Sequence, residues 1–246
     1  MEIINDIQKD ILKIREDFLK NNDLKKVKKI VKNLKIKKFP VVDNLSDKQL
    51  AMIMESINTF EIVVNLLKKY KLHNLDFDIK EVEETLFKIM EGEEIEIEED
   101  KLAVWEIMFR LQGLPFTVIW KILKDNIDLS KYDDNYCPIC GGEFEYAYID
   151  EDGKKFLVCA LCRFPWRYSR IKCPFCENED QNNFSYFQFE DEYDFVRIYN
   201  CDNCGESHKV LLIDKIKNYP SVEIAHIETI PLELAIEDEY DDEEDN

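Results

Sequence analysis

The sequence predicts an α+β protein: an N-terminal all-helical domain followed by two tandem four-cysteine metal modules of the zinc-ribbon type. Three observations carry this. All eight cysteines fall between Cys137 and Cys204, and each belongs to a Cys-x-x-Cys pair. The chain before Cys137 has no cysteine, and its apolar residues recur every three or four positions, the helical period. After Cys137 the runs become rich in aromatic and β-branched residues broken by turn signals, the pattern of short strands. With 246 residues there is room for a main domain and small satellites. The boundaries fall at 1–131 for the helical domain, 132–169 and 170–214 for the two modules, and 215–246 for a C-terminal segment with an acidic tail.

In chain order, Ile7, Ile11, Ile14 and Phe18 make one apolar stripe, and a lysine-rich stretch from Lys25 to Lys38 runs to Pro40, whose ring cannot continue a helix. "NLSDKQLAMIMESINTFEIVVNLLKKY" opens with Ser46 as N-cap and Gln49 three residues on, a capping box, with Leu45 and Leu50 spaced as a hydrophobic staple. "IKEVEETLFKIMEG" predicts a helix stopping near Gly92, and "EDKLAVWEIMFRLQG" another stopping near Gly113, where glycine suits a left-handed C′ position. The acidic run "EGEEIEIEED" between them reads as a solvated linker or helix start. Pro115 restarts the chain, and "FTVIWKILKDNI", apolar on nearly every side, belongs in the helical core. Beyond Cys137, "EFEYAYID" and "EDGKKFLVC" form a hairpin around Glu151-Asp152-Gly153. "FSYFQFEDEYDFVRIYNC" and "HKVLLID" supply further strands, and "IEDEYDDEEDN" is a frayed acidic tail.

Composition narrows the function. A net charge of −20 and a pI near 4.6 repel phosphate backbones, so nucleic acid is not the expected partner. No window approaches the roughly 18 consecutive apolar residues of a membrane helix, and "MEIINDIQKDILKI" lacks the features of a signal peptide. The expected setting is the cytoplasm, without membrane association. In that reducing compartment, paired cysteines read as metal ligands rather than as disulfides.

A Cys-x-x-Cys turn lets two thiolates converge on one ion while backbone amides behind the turn point at the sulfurs. Two such knuckles complete a tetrahedral site suited to zinc or a single iron. Glycine after the second cysteine eases the turn, and Gly141 and Gly205 hold that place whereas Arg163 and Glu177 do not. Two knuckles are Cys-Pro-x-Cys, and each is followed by a hairpin and then by a knuckle without proline, an internal duplication. The repeat assigns one site to Cys137, Cys140, Cys159 and Cys162 and the other to Cys173, Cys176, Cys201 and Cys204. Joining the two central pairs instead is favoured only by about a kcal/mol of loop entropy, which the repeat outweighs. Sites filled by four cysteines leave no open coordination position, which argues against hydrolytic metal catalysis.

The run C-x-x-C-x-x-x-W-x-x-x-R-x-K-C-x-x-C, met by Cys159, Cys162, Trp166, Arg170, Lys172, Cys173 and Cys176, resembles the central signature of the formate dehydrogenase accessory protein FdhE family. "YCPICGG" and "YNCDNCGESHKVL" flank it at suitable distances. The resemblance implies two rubredoxin-like modules, with iron, one per four-cysteine site, or zinc as the metal. It implies association with the catalytic subunit of a molybdenum- or tungsten-containing formate dehydrogenase, and a part in that enzyme's maturation or redox activation. The eight cysteines carry over as ligands. Trp166 and Arg170, in the linker Arg163 to Lys172, carry over as signature residues and as the expected partner-binding positions.

A base-stacking platform of Trp166 and Tyr168 beside Arg163, Arg167 and Arg170 would suit a zinc-ribbon nucleic-acid or transcription adaptor. A Cys-x-x-Cys thiol oxidoreductase would need a low-pKa thiol at a helix N-terminus, and these pairs fall in β-rich turns. His73, His208 and His226 are expected in surface or hydrogen-bonded roles, since eight thiolates already make two complete sets. No phosphate-binding loop, dinucleotide fingerprint or catalytic triad is legible, so no enzymatic activity of its own is expected; self-association is compatible with the sequence.

Overall fold

The computed structural model describes residues 2–22, 24–72 and 101–232, and the chain divides into two compact units, residues 1–127 and 128–246. The helix expected over "IKEVEETLFKIMEG", the acidic run 91–100, His73 and the acidic tail from residue 236 lie outside the described residues.

The first unit is helical. Helix α1 (Glu2–Asn21) buries the expected stripe: Ile7 and Ile11 are fully enclosed and Phe18 nearly so, with Ile14 packed at the margin of the same cluster. Val63, Leu66 and Leu67 of α4 (Thr59–Lys69) and Ala103, Val104, Ile107 and Leu111 of α5 (Leu102–Gln112) complete that core. Each enclosed branched side chain contributes about 2 kcal/mol by leaving water. Helix α2 (Lys25–Lys32) turns Val27 and Val31 inward and stops eight residues before Pro40, which instead leads into a 3₁₀ turn over Val41–Asn44. The lysines beyond Lys32 therefore lie in an irregular segment, because no apolar period continues there to be buried.

Helix α3 (Asp47–Ile57) starts on the capping box: the Gln49 amide donates to the Ser46 hydroxyl at 3.4 Å, and the Ser46 amide donates to the Gln49 side chain at 2.9 Å. The apolar period of residues 47–69 does not make one helix, since Asn58 adopts the left-handed conformation (φ 46°) and separates α3 from α4. Asparagine tolerates that region better than other residues with a Cβ. At the next junction Gly113 is right-handed (φ −75°), contrary to the left-handed C′ expected there. Its carbonyl accepts from Thr117 N–H at 2.9 Å, so the chain runs directly into α6 (Leu114–Leu123), with Pro115 in the first turn. Leu114, Val118, Ile119 and Leu123 are buried, as the all-round apolarity predicts. These breaks also divide two apolar stretches among the described residues, Asp47–Lys69 and Leu102–Leu123, which contain 18-residue windows of mean hydropathy 1.5 and 1.3.

The second unit is built on one mixed sheet of six strands in the order β3-β2-β1-β6-β5-β4. The first ribbon contributes β1 (Phe144–Ile149), β2 (Lys155–Cys159) and β3 (Pro165–Tyr168), all antiparallel; Gly153 (φ 76°) makes the β1–β2 turn. The second contributes β4 (Phe184–Gln188), β5 (Val196–Cys201) and β6 (Ser207–Leu212), likewise antiparallel. Parallel pairing of Ala147–Ile149 with Val210–Leu212 fuses the two ribbons into a single sheet. The linker between Arg163 and Lys172 is a strand over four residues, because Pro165–Tyr168 pairs with β2. A short helix, α7 (Val222–Glu228), is capped by Ser221 and buries Ala225, His226 and Ile227. Its last carbonyls are met by the buried Lys209, whose Nζ donates to the His226 carbonyl at 3.1 Å.

Candidate metal centres

Each knuckle is the same small machine. The first cysteine N–H donates five residues on: Cys137 to Gly142 O (2.7 Å), Cys159 to Phe164 O (3.1 Å), Cys173 to Asn178 O (2.9 Å) and Cys201 to Glu206 O (3.0 Å). Its carbonyl accepts from the residue four on: Gly141, Arg163, Glu177 and Gly205, at 2.9, 3.1, 3.0 and 2.8 Å. Closing that turn requires a left-handed residue after the second cysteine, and all four have it, with φ of 78°, 61°, 60° and 79°. The sequence places glycine at only two of these positions. Arg163 and Glu177 hold the conformation at a cost of about 1–2 kcal/mol each, and both are tied down by charge. Glu177 pairs with Lys172 at 3.0 Å; Arg163, buried, pairs with Glu145 and with Glu223 at 3.5 Å and lies over the Tyr146 ring.

The knuckles bring the eight sulfurs into two groups, Cys137/Cys140/Cys159/Cys162 and Cys173/Cys176/Cys201/Cys204, within each of which all sulfurs lie within 4.8 Å of one another. Across each group the knuckles approach in crossed pairs: Cys137–Cys162 and Cys140–Cys159 at 3.5 Å, Cys173–Cys204 and Cys176–Cys201 at 3.8 Å. A tetrahedron of thiolates at the usual metal–sulfur length of about 2.3 Å has edges of about 3.8 Å, so both groups have the dimensions of such a site. Backbone amides of Ile139, Cys162 and Phe175 lie 3.4 Å from Cys137, Cys159 and Cys173 Sγ, where they would offset anionic charge on the sulfurs.

The two groups differ in setting. In the first, Cys137, Cys159 and Cys162 are buried and Cys140 partly so; in the second, Cys173 and Cys201 are buried while Cys176 and Cys204 are exposed. Hydrogen bonds from Cys137, Cys140 and Cys162 hold the Cys159 thiol far below its ordinary range, whereas burial drives Cys137 and Cys162 upward. In the second group the Asn178 backbone, then the Asn203 side chain, bring Cys176 down to about 6. A divalent cation is what would let the remaining thiols of each set ionise together.

The signature residues divide. Trp166 is 1% exposed, and its Nε1 donates to the Asp134 carbonyl at 3.1 Å, so it braces the first ribbon and has no surface to offer a partner. Arg170 is exposed, its guanidinium donating to the Gly153 carbonyl at 3.3 Å. Tyr168 and Arg163 are buried as well, which removes the base-stacking platform considered from sequence. The Tyr168 hydroxyl donates to the Cys173 carbonyl at 3.1 Å and Asn135 Nδ2 to the Pro174 carbonyl at 3.1 Å, so elements of the first ribbon hold the opening knuckle of the second. His208 accepts or donates at 2.9 Å with Lys155 Nζ, and His226 stacks on Tyr146 at 4.0 Å, 3.4 Å from Glu145. Neither is among the sulfur groups. The sequence pointed to Arg163 and Tyr168 only as a surface platform and gave no sign of Lys155, because their buried roles depend on which strands become neighbours.

No family model matches the chain. Among individual proteins it is 30% identical over 123 residues to the FdhE homolog of Aquifex aeolicus, a match covering 48% of this chain and 42% of that one. It is 31% identical over 83 residues to FdhE of Escherichia coli O1:K1, covering 32% of this chain and 26% of the relative. The crystal structure of FdhE from Pseudomonas aeruginosa shares the fold, with a TM-score of 0.51 and 17% identity over 97% of this chain and 90% of that one. In sequence and in fold this chain is similar to FdhE proteins. The sequence matches span less than half the length of these FdhE relatives, while the FdhE fold extends over nearly the whole chain.

Proposed function

We propose that this chain is an accessory factor for the maturation or redox activation of a formate dehydrogenase, working in the cytoplasm by binding the enzyme's catalytic subunit and performing no catalysis itself. The observation that carries the reading is the pair of complete four-sulfur groups on one sheet, in a chain similar to FdhE proteins. The eight cysteines are the proposed ligands. Iron would supply one-electron chemistry at these sites, and zinc would supply structure alone. Arg170 is the signature residue with an exposed side chain and is the proposed partner contact of the linker, just beyond its strand. Two observations count against the alternatives. Trp166, Tyr168 and Arg163 are buried, and every Cys-x-x-Cys pair sits in a knuckle turn beside a strand, not at a helix N-terminus.

Affinity purification of the full chain from its native cells, under anaerobic conditions, tests the partner. Recovery of a molybdenum- or tungsten-enzyme catalytic subunit is the expected result, and recovery of ribosomal or DNA-bound proteins without such a subunit overturns the reading. Metal analysis with a visible spectrum separates red, iron-loaded protein from colourless, zinc-loaded protein.

A further inference from the structure

Strand β4 ends the sheet: β5 pairs with it on one side, and no described strand pairs with it on the other. The Asp202 N–H bonds the Asn183 carbonyl at 2.9 Å, and the Phe189 N–H bonds the Val196 carbonyl at 3.2 Å. In an antiparallel ladder inward and outward backbone groups alternate. The odd-numbered residues 183–189 therefore turn their amides to β5, and Phe184, Tyr186 and Gln188 turn theirs outward. Soluble proteins ordinarily blunt such an edge with lysine, proline or a bulge. Residues 184–188 carry none of these and pair with β5 in continuous register.

The edge is instead furnished with aromatic rings. Tyr186 and Phe187 are each 53% exposed and lie on opposite faces of the strand. Tyr186 stacks on Tyr199 at 5.4 Å with the Arg197 guanidinium 4.5 Å from its ring, and Phe187 packs edge-on against Phe189 at 5.0 Å. Both rings are thus held in place, one on each face, where they would flank an added strand.

Charge selects the occupant. From Glu177 to Glu206 the chain has nine carboxylates and one cation, Arg197. Exposed Glu179 and Asp180 precede β4, and exposed Glu190, Asp191 and Glu192 follow it. A second copy added edge to edge would bring two acidic borders together, whereas lysine or arginine side chains would be attracted to one. We infer that β4 is a docking strand for an extended segment of a partner polypeptide in which basic residues alternate with apolar ones. The inference stands on this edge alone and holds whether or not the partner is a formate dehydrogenase.

The test is calorimetric titration of the full-length, metal-loaded protein with an acetylated, amidated nonapeptide alternating lysine and valine, with a glutamate–valine nonapeptide as control. The lysine peptide should bind one to one, and about tenfold more weakly when salt rises from about 50 to about 300 mM; the glutamate peptide should not bind. Tyr186→Pro removes an outward amide and a ring while sparing the bonds to β5, and should weaken binding at least about tenfold. The double substitution Glu190→Lys/Glu192→Lys should also weaken it, and it leaves the strand untouched should the proline variant fail to fold. Equal binding of both peptides, no binding of either, or variants that bind like the wild type would overturn the inference. So would light scattering that shows a dimer lost in Tyr186→Pro, since a second copy would then be the occupant.

Discussion

Replacing Lys155 by methionine tests how the sheet tolerates a charge in its interior. Lys155 on β2 is 3% exposed, with Nζ 2.9 Å from His208 Nε2 and 5.9 Å from the ring centres of Tyr168 and Tyr199. Burial, the largest influence, lowers its pKa from 10.5 to about 8, with Cys173 pulling upward and Arg170 pushing further down. Between about pH 8 and 10.5 the unfolded chain keeps a proton that the folded chain has released, so stability rises with pH across that window. Below it both states are protonated and the penalty is present in full. At 1.36 kcal/mol per pH unit, the gap between 10.5 and about 8 is worth about 3 kcal/mol. Methionine removes that penalty but leaves His208 without the lysine, a cost of about 1–3 kcal/mol. That cost is constant over the window, because burial keeps the His208 pKa well below 6.5 and the ring stays neutral. The informative quantity is therefore the stability of Lys155→Met minus that of the wild type, from urea unfolding of metal-loaded protein. It should fall by about 3 kcal/mol between pH 7 and pH 10.5. A difference that stays level within about 1 kcal/mol would refute the reasoning.

Three further outcomes are expected. Arg163→Ala leaves Glu145 and Glu223 without a buried cation and should cost about 3–5 kcal/mol by thermal or urea unfolding; the double variant with Glu145→Ala should cost less than the sum of the two single changes. Gly205 has φ 79° and nothing within 4 Å of where a Cβ would stand, so Gly205→Ala isolates the backbone penalty. It should cost about 1 kcal/mol while metal content is unchanged. Ser46→Ala removes the hydroxyl cap of α3 and should cost about 1 kcal/mol, read from helical circular dichroism during melting.

The two four-sulfur groups were legible because knuckle spacing and the Cys-Pro-x-Cys repeat are local features. So was the capping box at Ser46, where both partners lie within four residues. The break at Asn58 was not, since a single left-handed residue leaves the apolar period of the flanking helices intact. The conformation of Gly113 was not legible for a related reason: the glycine stands between two helices that both need burial, and packing decided its φ. In the second unit, the repeat announced two ribbons but held no hint that they share a sheet. That outcome depends on β6 finding β1, and the one trace of it in sequence is the apolar run Val210–Leu212. Lys209 hides inside that strand because α7 returns to supply carbonyls for its ammonium group, a contact made only after the chain has folded back.

The parallel seam between β1 and β6 also has a consequence for how the protein is made. The three residues of β1 that pair with β6 leave the ribosome about 60 residues ahead of their partners. Until Ser207–Leu212 emerges, the first ribbon can close its own knuckles yet must carry an open, apolar β1 edge. Synthesis therefore passes through an interval in which one sulfur group is assembled, the other is not, and the strand between them is available to the wrong neighbour. Slow translation across residues 160–206 would lengthen that interval. A chain truncated after Cys204 would keep all eight cysteines but lack β6, and its β1 edge would stay open.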